Sequence, residues 1–284
     1  MSPSRLSRVS GRLAGLMLAL FTSVAAALPP SNMPRGVTDI SHQVYDLHML
    51  IFWICVAIGV VVFGVMLYSI IRHRKSKGFK AAQFHESTTV EILWTIVPFV
   101  ILIAMAIPAT QTLIAMEDTS DSDMTVKITG YQWQWHYDYL DHGISFYSHL
   151  ATPREHIYNQ AEKGNHYLLE VDKELVLPVG QKIHFLLTSN DVIHSWWVPA
   201  LGFKKDVVPG FVNGLWTEIE KPGVFRGQCG ELCGRDHAFM PIVVRAVEQA
   251  KFDKWVQAQK GGNKQGGRST ADSDTRAGEN ERRG

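Results

Sequence analysis

The residues that can do chemistry are concentrated in one segment, 228–240. This segment carries two thiols, Cys229 and Cys233, followed by the imidazole of His237 and the thioether of Met240. Thiolates, imidazoles and thioethers are soft or borderline ligands that suit copper, zinc or iron. The segment therefore predicts a metal site.

A disulfide between Cys229 and Cys233 is the main alternative in an oxidising compartment, since two cysteines four apart in a tight loop can close. His237 and Met240 favour a metal, because a disulfide needs neither of them. The spacing departs from C-x-x-C-H, which excludes a covalently attached haem at this cluster. A structural zinc site has no use for Met240. A blue-copper site uses one Cys, two His and a weak axial Met, and this segment offers a second Cys as well.

A copper site of this kind requires another histidine, and His194 is the best placed. It begins a run with strand character, 194–198, from which a β-barrel would supply one ligand while the late loop supplies the others. A lone histidine before two tryptophans is more often simply packed, so His194 depends on the loop for its interpretation. Two thiolates, two imidazoles, one thioether and one carbonyl could hold two copper ions rather than one. With every position filled by protein, such a centre would carry electrons rather than bind a substrate.

The elements that would position these residues are short strands. Runs rich in β-branched and aromatic residues recur between about 118 and 260 and are separated by Gly- and Pro-containing turns, a pattern typical of a β-sandwich or barrel. A short closing helix is expected at 252–259. The predicted strands are 124–131, 133–139, 166–171, 182–189, 194–198, 214–219, 223–228 and 241–247.

Two apolar runs without formal charge precede this domain, at 47–71 and 92–116. Each is 25 residues long, and a hydrocarbon core about 30 Å thick needs roughly 20 helical residues. The segment between them, 72–91, is basic, and positive loops stay cytoplasmic. The domain at 117–260 is therefore expected on the opposite side of the membrane, which is the periplasm in a Gram-negative bacterium.

The two ends of the chain have their own signatures. Positive charges followed by a short apolar stretch and three alanines predict a cleaved signal peptide at 1–27. Residues 28–46 would then form an extracytoplasmic N-terminal segment. The end of the chain, 261–284, has no large apolar residue and is predicted to be disordered.

The charge balance limits the partners. The chain has 28 basic and 27 acidic side chains, a formal net charge of +1, which argues against a nucleic-acid binder. The segment 117–260 has 14 basic and 19 acidic residues, a net charge of −5. An acidic domain of this kind suits a basic protein partner, because opposite fields raise the encounter rate.

Taken together, these motifs make the chain resemble subunit II of bacterial cytochrome c oxidase. The resemblance covers about residues 38–258, including the two spans, the aromatic run 133–137, the His194 strand and the whole loop 229–240. It implies an α + β membrane protein in which a two-helix transmembrane hairpin precedes an extracytoplasmic, cupredoxin-like Greek-key β-barrel. The stretch 148–165 is longer than the connection expected between such strands, and its role is open.

The resemblance implies a dinuclear copper centre of the CuA type and a second ion. The Glu231 carboxylate would help to bind Mg²⁺ or Mn²⁺ at the border with subunit I, with Asp206 nearby. Trp133 would be the aromatic at which cytochrome c delivers its electron. Glu91 would lie near the mouth of a proton pathway, although its spacing alone favours a simple interfacial residue. The implied copper ligands are His194, Cys229, the main-chain carbonyl of Glu231, Cys233, His237 and Met240.

The function implied is that of an oxidase subunit in the bacterial inner membrane, working with subunits I and III. It would accept electrons from cytochrome c and pass them to haem in subunit I, where oxygen is reduced to water with proton pumping, and it would hold no haem itself. Three alternatives remain: a quinol-oxidase relative without copper ligands, a nitrous oxide reductase, and a carrier with a single copper ion. The intact cysteine loop argues against the first, the pair of spans and the chain length against the second, and Cys233 against the third.

Overall fold

The computed structural model describes residues 32–80 and 82–261. The predicted signal peptide at 1–27 lies outside the described residues, as does the predicted disordered tail beyond its first residue, Gly261. The backbone divides after Pro34 into two units, and every element described below belongs to the unit 35–284.

Two long helices come first, α1 at Asp39–Arg72 and α2 at Thr88–Glu117. Both are long and apolar enough to cross a membrane, and each contains one predicted span and extends beyond it. The 34 residues of α1 span about 51 Å at about 1.5 Å per residue, more than the hydrocarbon core of about 30 Å. Its early start follows from a capping box, in which the Thr38 side chain accepts from Ser41 N and the Ser41 side chain accepts from Thr38 N.

The part of the chain after α2 forms a β-domain of two five-stranded sheets. One sheet has the order β3-β2-β1-β5-β8, and the other has the order β4-β10-β9-β6-β7. Strands β1 and β5 pair in parallel, as do β4 and β10, and the other pairs are antiparallel. The strands are β1 Met124–Tyr131, β2 Gln134–Tyr139, β3 Ile144–Ser148, β4 Leu175–Pro178, β5 Lys182–Ser189, β6 His194–Val198, β7 Phe203–Val207, β8 Asn213–Glu218, β9 Gly223–Cys229 and β10 Pro241–Val247. The two helices and the sandwich confirm the predicted hairpin and cupredoxin-like β-domain.

Large aromatic side chains fill the space between the sheets. Trp135, Tyr137, Phe185 and Trp196 are fully buried, and burying a side chain of this class contributes about 1.5–3 kcal/mol or more. Tyr139 is also buried, and its hydroxyl donates to Val176 O and accepts from Val176 N, at 2.8 and 3.0 Å. This tyrosine therefore joins an edge strand of one sheet to the core without leaving a polar group unpaired.

The strand prediction was wrong in four places. The stretch 166–171 is not a strand, because its residues turn and Leu168 adopts a φ of +59°; Val171 makes only a single bridge to Leu150. Three short strands, β3, β4 and β7, were missed. All three lie at the edges of the sheets, and β4 also ends in Pro178, so their sequences carry weak strand signals.

Two helical pieces complete the β-domain. A single turn, α3 at Arg154–Ile157, lies in the stretch 148–165 that is longer than expected. The closing helix, α4, covers residues 249–261 and so extends beyond the predicted 252–259. Its Phe252 is buried against the sandwich, with its ring centroid 6.4 Å from that of Tyr139.

Candidate metal centre

The candidate centre is built where β6 begins and β9 ends. These two strands pair antiparallel, with Trp196 opposite Cys229, which places His194 at the same end of the sheet as Cys229. The loop 230–240 leaves β9 at this point and returns as β10, and Gly230 N donates to Ser195 O at 2.9 Å. Two strand ends and one tight loop therefore deliver all the predicted ligands to one place.

The donor atoms lie within contact distance of one another. Cys229 Sγ lies 3.8 Å from Cys233 Sγ, 3.9 Å from His194 Nδ1 and 3.2 Å from Glu231 O. Cys233 Sγ lies 3.5 Å from His237 Nδ1. Met240 Sδ lies 3.5 Å from the same sulfur. Both cysteines are free, so the alternative disulfide is not formed in this structure.

This donor set fits copper. Two thiols, two imidazole nitrogens, a thioether and a carbonyl converge in a space lined by side chains of which His194 is fully buried and Met240 is 1% exposed. Such soft and borderline ligands match copper better than magnesium, calcium or manganese. His194, Cys229 and Cys233 also stand out on geometry alone, since their ligand atoms all lie within 4.8 Å of one another.

Asp191 orients the buried histidine. Its Oδ1 lies 2.9 Å from His194 Nε2, so this nitrogen carries the proton and donates, which leaves the Nδ1 lone pair facing the thiols. Burial lowers the pKa of His194, but its hydrogen bonds to Cys229 and Asp191 outweigh burial and leave the pKa raised. The sequence alone does not assign Asp191 to the metal site. The signal that could have identified it is its position three residues before His194.

The two thiols have different acidities. Burial raises the pKa of Cys229, but its interactions with His194 and with backbone groups outweigh burial and leave that pKa lowered. Burial and the neighbouring Cys229 raise the pKa of Cys233 to about 12. Because thiolates are the form that binds metals, loading the site must release protons.

A tryptophan and a glycine help to position His194 and Met240. The ring of Trp135 lies edge-on to His194, with centroids 6.0 Å apart, and its Nε1 donates to Met240 O at 3.1 Å. A Cβ on Gly130 would lie only 3.0 Å from His194 Cδ2, so the absence of a side chain there leaves room for the imidazole. Neither role was evident from the sequence.

Trp133 lies directly against the loop. Its Nε1 donates to Cys233 O at 3.3 Å, and the neighbouring Gln132 Nε2 donates to the same oxygen at 2.8 Å. The guanidinium of Arg235 lies 5.8 Å from the centroid of the half-buried Trp133 ring. A side chain at Gly234 would come within 3.1 Å of Trp133 Cζ2. The ring is therefore one hydrogen bond from the main chain of a predicted ligand.

The other predicted site residues are not gathered into a site. The Glu231 carboxylate is 46% exposed and lies 3.7 Å from Lys204 Nζ. Asp206 is exposed on β7, on the same face of the strand as Lys204, because side chains alternate. No hydrogen bond or ion pair joins Asp206 to Glu231 among the described residues. Glu91 is exposed in the first turn of α2 and takes no part in the metal centre.

Comparison with known proteins identifies the family. Residues 124–247 match the periplasmic domain of cytochrome c oxidase subunit II, and residues 27–112 match its transmembrane domain. A probable cytochrome c oxidase subunit 2 of Rickettsia bellii is 37% identical over 246 residues, which cover 85% of this chain and 90% of that protein. Cytochrome c oxidase subunit 2 of Cereibacter sphaeroides is 36% identical over 240 residues, covering 80% and 79%.

A solved structure gives a further match. The crystal structure of the periplasmic domain of subunit II of cytochrome oxidase (CoxB) of Bradyrhizobium japonicum is 43% identical and covers 50% of this chain and 96% of that one, with a TM-score of 0.45. The two apolar helices, the β-sandwich and the matches over both regions show that this chain belongs to the cytochrome c oxidase subunit II family, as a membrane-anchored subunit of the haem–copper oxidases.

Proposed function

We propose that this chain is the subunit through which electrons reach the oxidase, accepting them from cytochrome c into a dinuclear copper centre and delivering them to haem in subunit I. One observation carries the proposal. Two free, buried thiols, two imidazole Nδ1 atoms, a thioether and a main-chain carbonyl converge within two strand ends and one loop.

The proposed ligands are His194, Cys229, Glu231 through its carbonyl, Cys233, His237 and Met240. When bound, a copper pair of this type supplies a one-electron carrier. The chain holds its own ligands in place before any metal arrives: Asp191 fixes the His194 tautomer, and Trp135 holds both the imidazole and the Met240 carbonyl. A site that is shaped in advance changes little when its charge changes, which favours electron transfer.

Trp133 is the proposed point of contact with the donor. Its indole reaches the main chain of Cys233 through one hydrogen bond, and its half-buried ring leaves one face near the surface beside Arg235. The net charge of −5 over 117–260 supports a basic partner, and cytochrome c is such a protein. Association should weaken as salt is added, because exposed charges are screened within about 8–10 Å at physiological ionic strength.

The remaining assignments are part of the same proposal. The Glu231 carboxylate, with Asp206 nearby, contributes to a Mg²⁺ or Mn²⁺ site completed by subunit I, and Glu91 lies near a proton pathway into that subunit, with subunit III as a further partner. The β-domain faces the periplasm and the basic segment 72–91 faces the cytoplasm. The signal peptide ends near residue 27.

The test is rapid mixing of reduced cytochrome c with the assembled oxidase. We expect cytochrome c to be oxidised in a fast, salt-sensitive phase, and this phase to slow by about tenfold or more in Trp133→Phe, which removes the hydrogen bond to Cys233 O. Trp255→Phe is the matched control, since that half-buried tryptophan of α4 packs against Tyr139 and Phe252 instead. Equal rates in wild type and Trp133→Phe would contradict the role of Trp133. An oxidase that oxidises quinol but not cytochrome c would favour the quinol-oxidase alternative.

A further inference from the structure

The first turn of α1 fits against the β-domain with no spare room. Thr38 and Ser41 are 1% and 2% exposed, although both are polar. Their hydrogen bonds are complete, because each side chain caps the backbone of the other and Thr38 Oγ1 also donates to Leu201 O at 3.0 Å. Val37 N donates to Ala200 O at 2.9 Å. We call this contact, made by residues 36–41 against residues 199–202, the helix joint.

Two glycines allow the helix joint to close. Gly36 and Gly202 have φ values of +77° and +82°, which side chains rarely tolerate. A Cβ on Gly202 would lie 2.5 Å from Ser41 Cα, and a Cβ on Gly36 would lie 2.6 Å from Ala200 O. Both clashes are with backbone atoms, which cannot simply swing aside. Any side chain at either position must push α1 away from the turn.

The helix joint is directly continuous with a proposed copper ligand. The 3₁₀ turn Pro199–Leu201 connects β6 to β7, and β6 begins with His194. Trp196, Val198 and Leu201 are fully buried, so this connection has no flexible segment that could absorb a displacement.

The second membrane helix holds the same part of the β-domain. Trp216 Nε1 on β8 donates to Ala115 O near the end of α2, at 2.9 Å. Lys205 Nζ on β7 lies 3.1 Å from Glu117 Oε1. The two helices therefore contact the β-domain at separate points near the β6–β7 hairpin. Two separate contacts fix the orientation of the β-domain relative to the helices, whereas a single contact would let it rotate.

We propose that Gly36 and Gly202 are positioning residues that set the height and tilt of the copper centre above the membrane. The inference rests on the proposed function, because it concerns the onward transfer of the electron from the copper centre to the acceptor in the membrane partner. Electron transfer weakens with the separation of donor and acceptor, so a displacement of the copper centre should slow the onward step. Because Gly36 and Gly202 let α1 pack closely against the β-domain, they keep the distance from the copper centre to the acceptor fixed.

The experiment compares Gly202→Ala with Gly143→Ala in the assembled oxidase. Gly143 also has a positive φ, +63°, but a Cβ there would have nothing within 4 Å. This control therefore carries the backbone strain without a wedge, by which we mean a side chain that clashes with a neighbouring element. Two readouts are taken. Nitroxide amino acids placed at positions 68 on α1 and 158 in the β-domain, both exposed, report their distance by pulsed electron paramagnetic resonance. Flash reduction then separates electron arrival at copper from onward transfer to haem.

For Gly202→Ala we expect a changed label distance, an unchanged copper spectrum, unchanged electron arrival and slower onward transfer. Gly143→Ala should match wild type in every readout. If Gly202→Ala does not assemble, Thr38→Val removes the hydrogen bond to Leu201 O without adding a wedge, and it should produce a smaller change in the same direction.

Unchanged label distances in Gly202→Ala, or equal slowing in both glycine variants, would overturn the proposal. So would slower electron arrival with unchanged onward transfer, since that pattern belongs to the donor side. A wild-type oxidase without a copper signal would overturn the proposed function instead, while the label distances would still report on the helix joint.

Discussion

Glu231 belongs to two regions of the molecule that differ in burial and in how complete their ligand sets are. Its carbonyl points inward, 3.2 Å from Cys229 Sγ, in a buried cluster whose donors all come from this chain. Its carboxylate points outward, is 46% exposed and pairs with Lys204. The inward region is closed and shaped before metal binding, whereas the outward region is open and incomplete. The proposed carrier site can therefore be built within one subunit, whereas the proposed Mg²⁺ or Mn²⁺ site would need further ligands from subunit I.

Removing a thiol should have the largest effect on the inward region. Cys229→Ser replaces a soft ligand with a hard one and leaves Cys233 without its partner, so we expect the copper pair and the cytochrome c reaction to be lost. Copper content per chain and the visible absorption of the copper–thiolate centre measure this directly. Cys55→Ser is the matched control, because that exposed cysteine of α1 lies outside the centre. Normal copper content in Cys229→Ser would contradict its role as a ligand.

Removing the charge that orients His194 should have the next largest effect. Asp191→Asn keeps the shape but weakens a charge-assisted hydrogen bond, and loss of such a supporting partner typically costs about 10–100-fold in metal affinity. Competition with a copper chelator gives the affinity. Asp172→Asn serves as control, because Asp172 pairs with the exposed His149 in the same manner away from the centre. Equal affinities in the two variants would show that Asp191 does not support the site.

Changing the thioether should tune the centre rather than remove it. Met240→Leu conserves volume in the core, so its cost in stability should stay below about 1.5 kcal/mol. We expect copper to remain bound, the reduction potential to shift and electron transfer to slow. A redox titration followed by stopped-flow mixing tests each part. Wild-type potential and turnover in this variant would rule out Met240 as a ligand.

Altering the outward region should leave the inward one untouched. Glu231→Gln retains the main-chain carbonyl, so copper content and spectrum should match wild type. The exposed pair with Lys204 contributes at most about 1 kcal/mol to stability. In the assembled oxidase, however, the signal of Mn²⁺ bound at the subunit border should weaken or disappear. A variant that loses copper as well would show that the two regions are not independent.

How much of the centre was predictable depended on whether its parts are close in sequence. Four of the proposed ligand side chains were evident because Cys229, Cys233, His237 and Met240 share one short loop. His194 needed the expectation of a β-domain that brings a distant strand to the loop. Trp135, Gly130 and the role of Asp191 were not predictable, because each depends on what lies across the sandwich from it.

The same reasoning explains the fold. The two long apolar runs and the predicted strands were recognised from their composition. The structure contains all of these elements except the predicted strand at 166–171. The short strands β3, β4 and β7 depend on pairing with neighbours rather than on local propensity. The early start of α1 at Asp39 was missed because its first turn is polar, and it is stabilised by Thr38 and the packing of the helix joint rather than by the bilayer.

The central claim is that the inward region holds two copper ions sharing one electron. The most direct measurement is electron paramagnetic resonance of the copper-loaded full-length chain, with copper counted per chain. The account predicts two copper ions per chain and a seven-line hyperfine pattern, because an unpaired electron spread over two equivalent copper nuclei couples to both. A four-line pattern with one copper ion per chain would contradict it and indicate a mononuclear carrier, and no bound copper would indicate a structural subunit.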